Sequence, residues 1–260
     1  MLHFISVKIL LTIILVLFSW KAAQPAHSQA PAPYDAYVKN LSSYREAHDL
    51  YLKARKSYQQ FGTLKSKTDA EVATKTMLIL RSETVISFLQ LAQERVGEQA
   101  DYNLYAKDTL YTEVSFYQQN LEGIKLASSL ENLLIISDNF QKHYLESTSK
   151  FIPIVPQFVN LRLLIGYANF LNQQSLLYSD RISGLPNDKP KEELTKNLKD
   201  ANKSLEKAVS LINLSSTSLA NAKDNPAKAS QSARTNLSLA KESIIKSHNY
   251  LVEIDTQIKR

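Results

Sequence analysis

The sequence predicts an all-α protein, a multi-helix bundle of about six or seven long helices that ends in an antiparallel, coiled-coil-like helical hairpin. Three observations carry that prediction. Five glycines and eight prolines punctuate the 260 residues, and no proline falls between Pro33 and Pro153. The uninterrupted stretch is rich in Leu, Ala, Lys, Glu and Gln, and its apolar positions recur at three and four residues, the spacing of one helical face. No Asn-Gly or Asp-Gly pair and no sustained apolar-polar alternation marks a hairpin or a strand.

Residues 1–28 read as a secretory signal peptide. Lys8 leads into an apolar run from Ile9 to Trp20, and Ala26-His27-Ser28 supplies small residues before a cut after Ser28. The competing reading is an uncleaved anchor, but the clean run is shorter than the about 20 apolar residues a spanning helix needs. With no cysteine in the chain, a lipid-anchored lipoprotein is excluded, as are disulfides and thiolate metal sites. Residues 29–33 form a short proline-containing lead-in.

Residues 34–184 read as a helical bundle and residues 190–260 as the hairpin docked on it. The first helix runs from about Tyr34 to Phe61 and stops at Gly62. A capping box, Thr68 with Glu71, opens the second, which ends at Val96 before Gly97. The third spans about Asp101 to Ala127. Ser128 with Glu131 opens a fourth to about Thr148, although the third and fourth could form one kinked rod. Pro153 and Pro156 then break the chain before a fifth helix, Gln157 to Ile182. After the loop Leu185 to Pro190 comes the sixth, Lys191 to Ala222. Asp224-Asn225-Pro226 supplies a cap and a first-turn proline for the seventh, which continues to the C-terminus.

Three patterns stand out. In the first helix Tyr37, Tyr44, Tyr51 and Tyr58 recur every seven residues, interleaved with Leu41, His48 and Arg55. Such a row could stack sugar rings, but it equally suits a bundle margin, where rings are buried and hydroxyls stay wet; Val38 and Leu52 extend it into a buried stripe. The fifth helix carries Phe158, Val159, Leu161, Leu163, Leu164, Ile165, Phe170, Leu171, Leu176 and Leu177 all round its axis. It therefore reads as the buried centre of the fold, since Asn160, Arg162 and Asn169 make a membrane span costly. The last two helices carry matching seams at alternating spacings of four and three. The sixth reads Leu194, Leu198, Ala201, Leu205, Ala208, Ile212, Ser215, Leu219 and Ala222; the seventh reads Ser230, Ala233, Leu237, Ala240, Ile244, Ser247, Leu251, Ile254 and Ile258. The large column of one helix is set to face the small column of the other, Ala208 against Ile244 and Leu205 against Ser247. Val209, Leu211, Leu214, Leu239 and Tyr250 lie off the seam and predict docking on the preceding helices.

Removing Lys8 and Lys21 with the leader leaves 29 basic against 25 acidic side chains, a mild and dispersed excess unlike the concentrated basic face of a dedicated nucleic-acid binder. His48, His143 and His248 sit on different helices, and none has a Glu three residues before it, so the Glu-x-x-His metal signature of four-helix bundles is missing. Ser147 to Lys150 spells Ser-x-x-Lys without its partner motifs, and neither a Gly-x-Ser-x-Gly elbow nor a phosphate-cradling glycine loop occurs. No catalytic, cofactor-binding or metal-ligating residue is assigned, and no cofactor is implied; an active site assembled from separate helices would leave no local motif. The sequence therefore predicts an exported, extracytoplasmic, non-enzymatic helical bundle acting as an envelope-associated structural or partner-binding module. Its expected partner is another protein or an envelope component, with no transmembrane segment after signal removal. The alternatives are a small-molecule or glycan-binding bundle using the tyrosine row and, behind it, a membrane-inserting effector that releases the Phe151 to Leu177 segment into lipid.

Overall fold

The computed structural model describes residues 33–97, 104–186 and 190–259. The expected leader, residues 29–32 of the lead-in, the start of the third helix at Asp101 and part of the loop before Pro190 lie outside the described residues, while Pro33 of the lead-in opens the first helix. The described residues form six helices joined by short non-helical segments, with no strand among them: α1 (Pro33–Phe61), α2 (Leu64–Val96), α3 (Leu104–Leu126), α4 (Leu130–Ser183), α5 (Lys191–Ala220) and α6 (Pro226–Ile258).

Several boundaries follow the expected chemistry. Asn225 accepts from the Lys228 amide at 3.1 Å with Pro226 at the first helical position, and α1 and α2 stop at Gly62 and Gly97, both with positive φ. Two caps fall elsewhere. Thr63, not Thr68, caps α2 by accepting from the Ser66 amide at 3.1 Å; Thr68 lies inside the helix and bonds the Leu64 carbonyl. Ser129, not Ser128, caps α4 by accepting from the Asn132 amide at 3.2 Å.

The larger correction concerns α4. The third and fourth segments do not form one rod; the fourth and fifth do, over 54 residues. Pro153 and Pro156 withhold backbone donors from the preceding turn, and the helix absorbs this by changing pitch instead of breaking. A wide π-helical turn, Tyr144–Thr148, is followed by α-helical Ser149–Phe151 and a tight 3-10 turn, Ile152–Ile154. Regular α-helix then resumes at Val155.

The first half of α4 packs with α2 and α3, and its second half packs with α5, α6 and the end of α2. One continuous core, from Ile86 on α2 to Ile254 on α6, runs through both halves. The α5–α6 pair is antiparallel. Ser218 and Ser232 meet at one end of it, and Gln257 donates to Glu193 at the other. The seam residues of α5 are buried from Leu194 to Leu219, with the expected Ala222 buried in the turn just beyond the helix, and those of α6 are buried from Ala233 to Ile254. At the start of α6, however, Ala229 fills the seam while Ser230 points aside and donates to the Pro153 carbonyl at 3.0 Å. The hairpin is thus tied to the pitch change in α4. Leu211 and Tyr250 pack against the core as expected, whereas Val209, Leu214 and Leu239 stay exposed.

Arg162, which argues in sequence against a membrane span, has a structural task. Its guanidinium donates to the Glu94 and Arg95 carbonyls at 3.2 and 3.1 Å, neutralising the C-terminal end of α2. Gly97 makes room for it: a Cβ there would sit 2.7 Å from the guanidinium, at a φ of +79° that L side chains rarely adopt.

Candidate functional site

Burial along the second half of α4 is one-sided, which overturns the expectation of a fully enclosed central helix. Phe158, Leu161, Ala168, Leu171, Ser175 and Ile182 point into the core. On the opposite side Leu163, Phe170 and Leu177 are 52%, 48% and 51% exposed. Each stands seven residues from the next, so together they form a single outward column. Tyr167 stands beside the column, its ring stacked on Phe170 with centroids 6.0 Å apart and its hydroxyl 3.4 Å from Nδ1 of His248 on α6. That contact joins the α4 column to the exposed Ile245 and Val252, which lie three and four residues either side of His248. From Leu163 to Ser179 there is no Asp, Glu, Lys or Arg. A solvated helix face normally carries charge, and contiguous apolar surface of this kind marks contact sites in folded proteins. Among the described residues α4 is also the one helix long and apolar enough to cross a membrane by length and composition, its most apolar window having mean hydropathy 1.4 and being one-third buried.

A second cluster is polar and interior. Glu113 on α3 is 1% exposed. Its carboxylate accepts from Ser147 Oγ at 2.5 Å, from Thr148 Oγ1, and from His143 Nε2 at 3.1 Å. Ser147 and Thr148 lie in the π-helical turn, whose added residue helps both hydroxyls reach the same carboxylate. Thr148 in turn accepts from the Tyr117 hydroxyl at 2.6 Å. Burial pushes the Tyr117 phenol up to about 12, with the neighbouring Glu113 charge adding to the rise against the Thr148 bond. Around this chain His143 stacks on Phe116 at 3.6 Å, and Arg81 lies 3.8 Å over the Phe140 ring while donating to Ser137. Desolvation lowers the Arg81 guanidinium from its ordinary value.

Serine, histidine and a carboxylate are therefore adjacent, but their wiring does not suit hydrolysis. In a nucleophilic triad the imidazole takes the serine proton and the carboxylate orients the imidazole. Here serine and imidazole both bond the carboxylate directly, so the arrangement ties α3 to the widened turn of α4. Lys150, at the end of the Ser-x-x-Lys match, is exposed. Among the described residues no group of three or more His, Cys, Asp or Glu is placed to hold a metal ion.

The tyrosine row lies where a bundle margin would put it. Tyr37, Tyr44, Tyr51 and Tyr58 are half-buried in the α1–α2 seam around Ala47, Tyr37 meets Phe88 at 5.7 Å, and His48 sits between the rings of Tyr44 and Tyr51. Val38 and Leu52 do not extend a buried stripe; both are exposed. Two open grooves flank the bundle, one between α1, α2 and α3 and one between α4 and α5. The first is lined by Asn40, Glu83, Ser87 and Gln118 among others, the second by Asn169, Asn172, Asn202 and Asn213, and none of the four tyrosines lines either groove.

The sequence pattern gives His143 no metal-binding partner and Ser147 only a Ser-x-x-Lys match without its partner motifs, and it does not single out Glu113. The signal is visible in retrospect: Glu113 occupies the position between Leu110 and Tyr117 on the buried stripe of α3. Comparison with known proteins returns no matching family model, no matching curated protein and no matching solved structure.

Proposed function

We propose that this protein is an exported, non-enzymatic helical module that works by surface contact, and that the outward column of α4 is its binding face. One observation carries the reading: seventeen consecutive residues of α4, Leu163 to Ser179, lack charge while the large side chains of one face, Leu163, Phe170 and Leu177, are about half exposed. Such a face contributes little to folding, and its apolar character is explained by what it touches. Export rests on the apolar leader and its small-residue cut, and makes the partner an extracytoplasmic protein or envelope component.

A photo-reactive side chain in place of Leu177 tests this. In cells exporting the protein, illumination is expected to trap a heavier adduct there and not at Leu50, which is similarly exposed on α1. Equal labelling at both sites, or none, removes the column as a binding face.

We also read the α5–α6 hairpin as a coiled coil with large residues facing small ones. Because the chain lacks cysteine, introduced pairs report the register. Oxidation is expected to join Ala201→Cys with Leu251→Cys readily and Ala208→Cys with Ala240→Cys poorly, given an alpha-carbon limit of about 7 Å. The reverse order would contradict the register.

A further inference from the structure

We infer that the occupant of the α4 face is a second copy of this chain, related by a two-fold axis through Phe170; this rests on the binding-face reading above and names its partner. The column is self-complementary. Leu163 and Leu177 stand seven residues either side of Phe170, so an antiparallel second α4 sets each Leu163 against the other copy's Leu177 and the two Phe170 rings against each other. A two-fold interface requires this, since one patch must serve both sides.

The flanking positions agree. At the same register Tyr167 comes level with Gln173 of the second copy, giving its phenol an amide partner. Gly166 comes level with Gln174, so a long side chain meets the residue that leaves it space. Along α4 no like charges meet: Arg162 falls level with Tyr178 of the second copy, and Asp180 with Asn160. Lipid would suit this face less well, because the amides of Gln173 and Gln174 flank the column and hydrocarbon offers them no partner.

The footprint is also of the right order. From Leu163 to Leu177 the helix rises about 21 Å, and with α6 alongside carrying Ile245 and Val252 the surface is two helices, roughly 20 Å, wide. With its relief counted, that approaches the about 800 Å² per partner of a standard protein interface.

Mass measurement by light scattering on the exported chain, with cysteine variants, tests the inference. At about 100 μM the protein is expected to have twice the mass of one chain, and Phe170→Asp is expected to halve that mass without loss of helical circular dichroism. Phe170→Cys is expected to oxidise to a linked dimer by itself. Leu163→Cys and Leu177→Cys are expected to link when mixed and not when oxidised separately, because the axis carries like positions apart. A single-chain mass at every concentration overturns the second copy. If the adduct trapped at Leu177 then has a mass other than twice the chain, the binding face stands with a different partner. A dimer that survives Phe170→Asp, with no adduct at Leu177, overturns both.

Discussion

Replacing Glu113 with Ala is expected to cost about 3 to 5 kcal/mol of folding stability. The substitution removes an acceptor shared by Ser147, Thr148 and His143 in an interior position, and each donor left without a partner costs about 1–3 kcal/mol before relaxation. Tyr117→Phe, which deletes one hydroxyl at the far end of the same chain, is expected to cost only about 1 kcal/mol. Urea denaturation at neutral pH measures both, and a loss below about 1 kcal/mol for Glu113→Ala would show that the cluster does not hold α3 to α4. The cluster also sets an alkaline limit. Because the folded state holds the Tyr117 proton more tightly than the unfolded chain does, that contribution is fully present below about pH 10 and is lost as pH rises through about 12.

The second large effect is expected at Leu171, which is 1% exposed and packs into the core shared by α4, α5 and α6. Leu171→Ala deletes buried methyl groups and leaves a cavity that the surrounding helices close only in part, a loss of about 2 to 5 kcal/mol. The chain spacing makes the site informative, because its neighbour Phe170 faces outward.

Local signals are legible in the sequence where one residue sets the backbone. Gly62, Gly97 and Asn225-Pro226 each act through their own conformation or a single hydrogen bond, and the helices end or begin there. The hairpin seam was legible for the same reason: its spacing of four and three repeats over thirty residues of α5 and is buried along the whole length. Competition between equivalent signals was harder. Thr63 and Thr68, or Ser128 and Ser129, offer the same capping hydroxyl, and tertiary packing selects between them. Pro153 and Pro156 read as a break because proline removes donors, yet the π-helical turn and the 3-10 turn carry the axis past them.

The candidate site was hidden by a physical ambiguity. Apolar residues all round a helix mean burial on every side or burial on one side with contact on the other, and hydrophobicity alone does not separate the two. Arg162 pointed away from lipid, and its place on the α2 carbonyls accounts for that, but nothing in the spacing of Leu163, Phe170 and Leu177 tells a core column from a contact column. Glu113 was hidden differently. Its partners lie 30 to 35 residues away on another helix, and two of them, Ser147 and Thr148, lie in the widened turn, whose position the sequence does not mark.

The central claim is that α4 has one face for folding and one for contact, and the unfolding free energy of Phe170→Ser set beside that of Leu171→Ala tests it most directly. Both are measured by chemical denaturation over a range of protein concentrations and extrapolated to infinite dilution, so that association does not enter. The structure predicts a loss below about 1 kcal/mol for Phe170→Ser against about 2 to 5 kcal/mol for Leu171→Ala. Equal losses at the two neighbours would mean that Phe170 is part of the core and would contradict the contact face.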